Sequence, residues 1–446
     1  MARIPLEFLS ITLPVLLLAY CLAIEYEVSL PTIAHTSPAS NPEEYLQSIY
    51  EQLNLDLPST CTVNHLSAFD NTPTSLLNFS TSPVEHFDAP KLPSGLNATA
   101  GEQWAFDGTS SSGRSGLLLG IYRDASYAFL GPGNFRLSLD LVWDNSTTWS
   151  TVDYLSSSTV HTCTDKVVGI WSHSADHYYV FTVTADAKHA RIHFHTPDVV
   201  GAVDLYSTTP ARYPDGALFP SEVSVTQNAP MLHWVEPIPG GLIDVDLKVK
   251  DTPFRWTGLG GHERWWSAKG WLDLMTHWEA VRLMAGPYVL SFWQPTSRVN
   301  GVAYPSAFLT KYGEKVFSAV SGKVSEVEDY ILYSPVRMEK QARETGYEVE
   351  LVSPAQGRRW VFGLEYRNQE FEFELGDAAG GRAYVGRAKG GEVHADDKPE
   401  EPSEGVFFIE HVDVKALTVP RAYVVVCEWY YRVQAQVLNS WRNGGQ

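Results

Sequence analysis

A chain of 446 residues is long for one domain and comfortable for two, each with a core of its own. Its formal charge of −19 repels phosphate backbones and anionic membrane surfaces, which argues against nucleic acid and against a membrane surface as partners. The apolar share of 44% is ordinary, but 14 tryptophans and 22 tyrosines supply enough flat rings to line a pocket for a large apolar ligand.

The first element in chain order is a targeting segment. Arg3 precedes an apolar run from Phe8 to Ala23, and small Ala23 suits the residue before a cut. Residues 1–23 are therefore expected to be a removed signal peptide, with an uncleaved anchor as the alternative. The destination is the secretory lumen or the exterior. No later stretch approaches ~18 uninterrupted apolar residues, so no stable membrane insertion is expected after removal. Three acceptor sequons, at Asn78, Asn97 and Asn145, agree with that route as glycosylation sites. Cleavage would remove Cys21 and leave Cys61, Cys163 and Cys427, enough for at most one internal disulfide. Cys61 with Cys163 is one pairing, and spacing alone does not choose it.

Residues 24–100 are expected to form a leader, rich in Pro, Ser, Thr and Asn from residue 31 and partly disordered, with one short helix at "NPEEYLQSIYEQL". From Glu102 the pattern changes to short alternating or apolar runs between turn residues. "SGLLLGIYR", "FRLSLDLVW", "YYVFTVTA", "ARIHFHT", "LIDVDLKVK" and "YVLSFWQ" are strands by this criterion. So are "YEVELV", "RWVFGLEYR", "EFEFELG", "GVFFIEHV" and "RAYVVVCEWYYRV". Between the two groups, Trp271 to Ala285 carries apolar residues at mixed three- and four-residue spacing and predicts a helical joint. The charged "HADDKPEEPSEG" from His394 predicts a solvated loop. The chain is thus all-β with two domains, residues 101–270 and 271–446.

Familiar chemistry is missing. "GTSSSG" from Gly108 has the wrong spacing for a nucleophile elbow, His262-Glu263 does not continue as H-E-x-x-H, and "GLGG" from Gly258 joins no parallel strand to a helix. His193 and His195 share one face of a strand, yet with no third ligand they predict a polar outward face and no metal. Two segments remain. In "EQWAFDG", Trp104, Phe106 and Asp107 could simply belong to a strand ending in an Asp-Gly turn. The run from Gly260 to Tyr288 holds Trp265, Trp266, Trp271 and Trp278, which could simply fill a domain interface.

Taken together, Trp104-x-Phe106-Asp107-Gly108 and the pattern Gly260, Gly261, Arg264, Trp266, Ser267, Trp271, Thr276, Gly286, Pro287, Tyr288 resemble fungal Diels–Alderases of polyketide–nonribosomal peptide pathways. That family looks distantly related to carotenoid hydratases (hydroxyneurosporene synthase). The resemblance implies an N-terminal β-sandwich, a C-terminal lipocalin-like β-barrel, a pocket between or beside them, and neither metal nor organic cofactor. It implies an intramolecular [4+2] cycloaddition of an apolar polyene joined to a pyrrolone or tetramate. The long leader before Trp104 favours the cytochalasan-type subgroup over decalin-forming members. In such a site Trp104, Phe106, Trp266, Trp271 and Tyr288 would shape the pocket, and Arg264 or His262 would donate to the conjugated carbonyl. Glu102 and Asp107 are catalytic candidates that could instead pair structurally with Arg264. Two rivals stand beside it. A hydratase would use Glu102, Asp107 or Glu263 as a proton donor of raised pKa, and a lipocalin-like carrier would bind an apolar metabolite unchanged.

Overall fold

Alternating apolar residues become 22 strands in the computed structural model, which describes residues 42–68, 80–93, 96, 100–124, 134–267, 269–337, 344–374, 380–393 and 401–415. Every strand pairing among them is antiparallel. Both sheets fall within one unit, 56–126 with 133–417. The helix α1 (Pro42–Gln52) belongs to the other. It starts with proline, whose missing N–H costs nothing at that position, and it buries Tyr45, Leu46 and Ile49 along one stripe.

The first sheet begins with β1 (Thr62–Ser67), β2 (Gly101–Ser110), β3 (Gly116–Asp124), β4 (Phe135–Val142) and β5 (Thr148–Tyr154). It continues with β6 (Ser157–Thr162), β7 (Lys166–Ser174), β8 (His177–Thr184), β9 (His189–His195) and β10 (Val199–Ser207). Short β11 (Gln227–Ala229) and the long pair β12 (Leu232–Val249) and β13 (Thr252–Ser267) complete it. The spatial order β1-β6-β7-β8-β9-β10-β12-β13-β2-β3-β4-β5 is a half-barrel folded over its own core. Trp104 on β2 meets Trp171 on β7 with ring centres 5.0 Å apart, and Phe106 meets Phe181 on β8 at 6.3 Å.

The second sheet comprises β14 (Met275–Ala285), β15 (Tyr288–Ser297), β16 (Ser306–Lys311), β17 (Glu314–Ala319) and β18 (Tyr330–Val336). To these it adds β19 (Gly346–Ser353), β20 (Arg358–Glu374), β21 (Gly380–Val393) and β22 (Ser403–Asp413). Its order is β17-β16-β15-β14-β22-β21-β20-β19-β18. The two end strands approach one another, and just past β17 the Ile331 amide donates to Ser321 O at 3.1 Å, leaving a barrel that is nearly closed. Leu290, Trp360, Phe362 and Ile409 fill its interior. The fold is the all-β pairing of a sandwich-like sheet with a lipocalin-like barrel.

Three sequence expectations change. The helical joint is a single turn, α2 (Trp271–Leu274), and Met275–Ala285 is strand. That strand is buried on both sides: Val281, Leu283 and Ala285 enter the barrel core, while Ala280 and Arg282 line the seam with the first sheet. Two-sided burial makes apolar spacing look helical. "RWVFGLEYR" and "EFEFELG" are one strand, β20, bent by irregularities at Tyr366/Asn368 and Gln369/Phe371. Asp107-Gly108 lies inside β2 and makes no turn; a Cβ on Gly108 would sit 2.7 Å from Ile243 Cδ1. The leader is partly built into the fold, through β1 and through the buried Asp88, Lys91 and Leu92.

Cys61 and Cys163 form a disulfide that joins the start of β1 to the turn after β6. His193 and His195 do lie on the outer face of β9, His193 accepting from Arg191 at 3.0 Å and His195 stacked on Tyr178. Among the described residues no group of histidines, cysteines and carboxylates is disposed to hold a metal. The signal segment, Asn78, Asn97, Cys427 and the strand expected from Arg421 lie outside the described residues, as does most of the charged loop.

Candidate active site

The register of β13 on β2 sorts the motif residues into two sets. His262, Arg264 and Trp266 pair with Phe106, Trp104 and Glu102, while Gly261, Glu263 and Trp265 pair with Asp107, Ala105 and Gln103. Cross-strand partners share a face, and successive residues alternate faces. The even set of β13 therefore points into the first sheet's own core, and the odd set points to the seam with the barrel.

The inward set forms a closed network. Arg264 donates from Nε to Phe87 O (3.1 Å), from Nη1 to Gln103 O (2.9 Å), and from Nη2 to Ala89 O and Glu102 Oε2 (both 3.1 Å). Its guanidinium lies 3.6 Å from the Trp104 ring centre. Glu102 also accepts from the Lys91 amide at 2.7 Å and from Arg123 at 3.4 Å. His262 places its two nitrogens 2.7 Å from Ala105 O and from Asp88 Oδ1, and it stacks on Phe106. Burial pushes the Asp88 carboxyl up, yet its pairing with His262 holds it below the usual carboxylate range. The Trp266 indole donates to Ser80 O at 2.9 Å. Glu102, Trp104, His262, Arg264 and Trp266 show no measurable exposure.

The seam-facing set meets the outer face of the barrel around one arginine. Arg282 on β14 donates from Nε to both oxygens of Asp107 (3.0 and 2.8 Å) and from Nη1 to Glu236 Oε2 (2.8 Å) and Pro239 O (2.5 Å). Ser291 on β15 donates to Glu236 Oε1 at 2.5 Å. Gly261 is glycine because this guanidinium rests on it: a Cβ there would lie 2.2 to 2.5 Å from Nε, Cζ and Nη1. Asp107 is thus separated from the other sequence-predicted catalytic residues by the thickness of one sheet.

Beside Arg282 lies a cavity of about 60 Å³, lined by Gln103, Asp107, Glu236, Glu263, Phe292 and Glu410 among others. A smaller one of about 10 Å³, near Thr109, Gly260 and Met284, shares Asp107, Arg282 and Phe408 with it. The larger has room for a few waters at about 10–15 Å³ each.

Indole N–H groups fix the polar side chains of this wall. Trp265 donates to Gln103 Oε1 and Trp234 to Glu263 Oε2 at 3.0 Å. These rings pack with Trp293 and half-buried Trp271 in one cluster, Trp271 edge-on to Trp278 at 4.9 Å. Burial, reinforced by the neighbouring Glu263, pushes Glu410 up to about 8, and burial likewise raises Glu263 against the pull of Arg282. Glu410 is a protonated donor at neutral pH. Tyr288, the last pocket residue expected from sequence, is buried in the barrel core against Phe362.

Sequence reasoning passed over Gln103, Glu236, Arg282, Ser291 and Glu410, and it named Glu263 only for the hydratase. Strand parity within "GGHERWW" was the available signal, since alternation along a strand puts Glu263 and Arg264 on opposite faces. Nothing local marks Glu410 or Glu236.

Comparison with known proteins agrees with this architecture. A protein-family model described as Diels-Alderase-like matches residues 58–415. The chain is 39% identical over 376 residues to the Diels-Alderase ffsF of Aspergillus flavipes, spanning 82% of this chain and 90% of that one. It is 40% identical over 343 residues to the Diels-Alderase cheD of Chaetomium globosum, spanning 75% and 80%. A crystal structure of CghA with Sch210972 shares the fold at a TM-score of 0.68 and 22% identity, over 79% of this chain and 98% of CghA.

Proposed function

The chain belongs to the Diels-Alderase-like family and is a cycloaddition cyclase, and from that premise we propose that it closes a cytochalasan-type ring system by an intramolecular [4+2] reaction of a polyene on a pyrrolone. Three π bonds become one π bond and two σ bonds, with no atom gained or lost and no nucleophile required. The barrier is largely the ordering of a floppy chain, and holding diene against dienophile supplies up to ~7–11 kcal/mol.

The observation that carries this reading is the seam itself, where a cavity lined by polar groups backs onto a cluster of tryptophans and most of those groups are held in place. Gln103 and Glu263 are pinned by indoles, and Arg282 by the carboxyl groups of Asp107 and Glu236. Rigid apolar walls select one folded conformer of the substrate, and fixed donors meet the charge that builds on its carbonyl without reorganising. The cytochalasan assignment draws support from the leader, which contributes β1 and a disulfide to the fold. Decalin formation is the alternative outcome for the same site.

A hydratase reading has one observation in its favour, the carboxyls Glu263 and Glu410, both raised by burial, Glu410 to about 8. Product mass separates the two, because hydration adds one water and cycloaddition adds nothing. The secretory destination is supported by the disulfide and by Asn145, exposed in the turn between β4 and β5.

Deleting the gene in its host tests the proposal. An uncyclised polyene–pyrrolone, equal in mass to the lost ring product, should accumulate, and purified protein should restore the ring and its stereochemistry. An unchanged ring system would overturn it.

A further inference from the structure

Arg282 stands between the two cavities of the seam, and its surroundings hold it more firmly than a surface clasp requires. The residue comes from β14, yet its partners Asp107 and Glu236 belong to β2 and β12 of the other sheet. Gly261 leaves the flat space on which the guanidinium lies. These contacts use Nε and Nη1, and Nη2 takes part in none of them. The side chain is nine-tenths buried and borders both cavities.

We propose that Arg282 is a catalytic residue that donates from Nη2 to the conjugated carbonyl oxygen of the substrate and so lowers the energy of the dienophile. The inference rests on the cycloaddition reading above and names its electrophilic group. A guanidinium held by the Asp107 and Glu236 carboxyl groups and by Pro239 O cannot swing away, so its remaining donor is pre-aimed, as charge stabilisation in a transition state requires. Burial raises Glu263 and pushes Glu410 up to about 8, which disfavours negative charge beside the incoming oxygen. Arg264, the arginine of the sequence motif, has all three nitrogens engaged by the protein and faces the other way.

The test uses the purified full chain with two substrates, the polyene–pyrrolone and an analogue whose activating carbonyl is reduced to a methylene. Arg282→Gln should lower kcat on the carbonyl substrate by about 10²–10³-fold with a smaller change in KM. On the analogue, wild type and variant should react at the same rate. Equal losses on both substrates would reduce Arg282 to a clasp and overturn the proposal. Because Arg282→Gln could fail to fold, the wild type supplies an independent readout. Infrared difference spectra of the bound product, ¹³C-labelled at the carbonyl, should show that band at lower frequency than in solution, and Arg282→Lys should return it toward the solution value. No binding, an unshifted band, or a shift unchanged in Arg282→Lys would overturn the assignment. If wild type binds the product with a shifted band but fails to cyclise the polyene, the reaction reading falls while carbonyl recognition by Arg282 stands.

Discussion

Arg282 and Asp107 lie 175 residues apart and on different sheets, yet Arg282 Nε reaches both carboxylate oxygens of Asp107, at 3.0 and 2.8 Å. With Glu236 on the other side of the guanidinium, this is a buried polar tie across the seam. A buried charge that loses its partner is costly, whereas a neutralised set costs much less. Arg282→Met should therefore destabilise the protein by about 3–5 kcal/mol, and adding Asp107→Asn should restore part of the loss. Urea denaturation of the two single variants and the double variant gives the coupling energy. A coupling near zero would show that the pair does not tie the sheets.

Gly261→Ala makes a second test of the same geometry. The new methyl would fall within 2.5 Å of three guanidinium atoms, so Arg282 must shift. Overpacking of this kind costs about 1–3 kcal/mol, and turnover should fall with it. Full turnover in a correctly folded Gly261→Ala protein would mean that the position of the guanidinium is unimportant.

Trp234→Phe removes the indole donor to Glu263 while keeping most of the ring. Leaving a buried acceptor unsatisfied costs about 1–3 kcal/mol. Thermal melting should register that loss, and product analysis should show poorer stereoselectivity, because the wall of the seam loosens.

Glu410 sets a pH dependence with a definite sign. Burial first, then the nearby Glu263, raises its folded pKa from 4.5 to about 8. Between those values the folded state binds the extra proton, so the contribution is complete below pH 4.5 and is lost as pH rises through about 8. The local slope reaches about 1.4 kcal/mol per pH unit. Glu410→Gln should flatten that part of the stability profile in denaturation experiments across the window. A profile identical to wild type would rule Glu410 out as its source.

The disulfide and the sequon make a compartment prediction. Replacing Cys61 with Ser should cost about 2–5 kcal/mol, since the bond closes a long loop. Protein isolated from its host should shift in gel mobility on treatment with an N-glycosidase, and Asn145→Gln should remove at least part of that shift. A host protein with free Cys61 and no glycan would place folding outside the secretory route.

Much of the fold was legible in the chain. Period-two alternation located most strands, and the helix over Pro42–Gln52 followed from its composition and spacing. Reading failed where a strand is buried on both faces, as in Met275–Ala285, because alternation vanishes when both sides are apolar. The site was legible in its tryptophans and less so in its charges. Arg264 stands out in the motif but is consumed by backbone carbonyls, while Arg282, which borders the cavities, sits in an unremarkable run, "EAVRLMA".

What the sequence determined by itself is local: the pleat that puts Glu263 and Arg264 on opposite faces, and the missing Cβ at Gly261. The motif carrying the family resemblance is local in the same sense. Which face of β13 would look onto the barrel was decided only by tertiary structure. Docking brings β14 against β2 and β12, and only then do Arg282, Asp107 and Glu236 exist as one site. Desolvation follows the same rule, since Glu410 becomes a protonated donor only once two sheets have closed over it. Backbone geometry acts between neighbours in the chain, whereas burial and charge pairing act between neighbours in space.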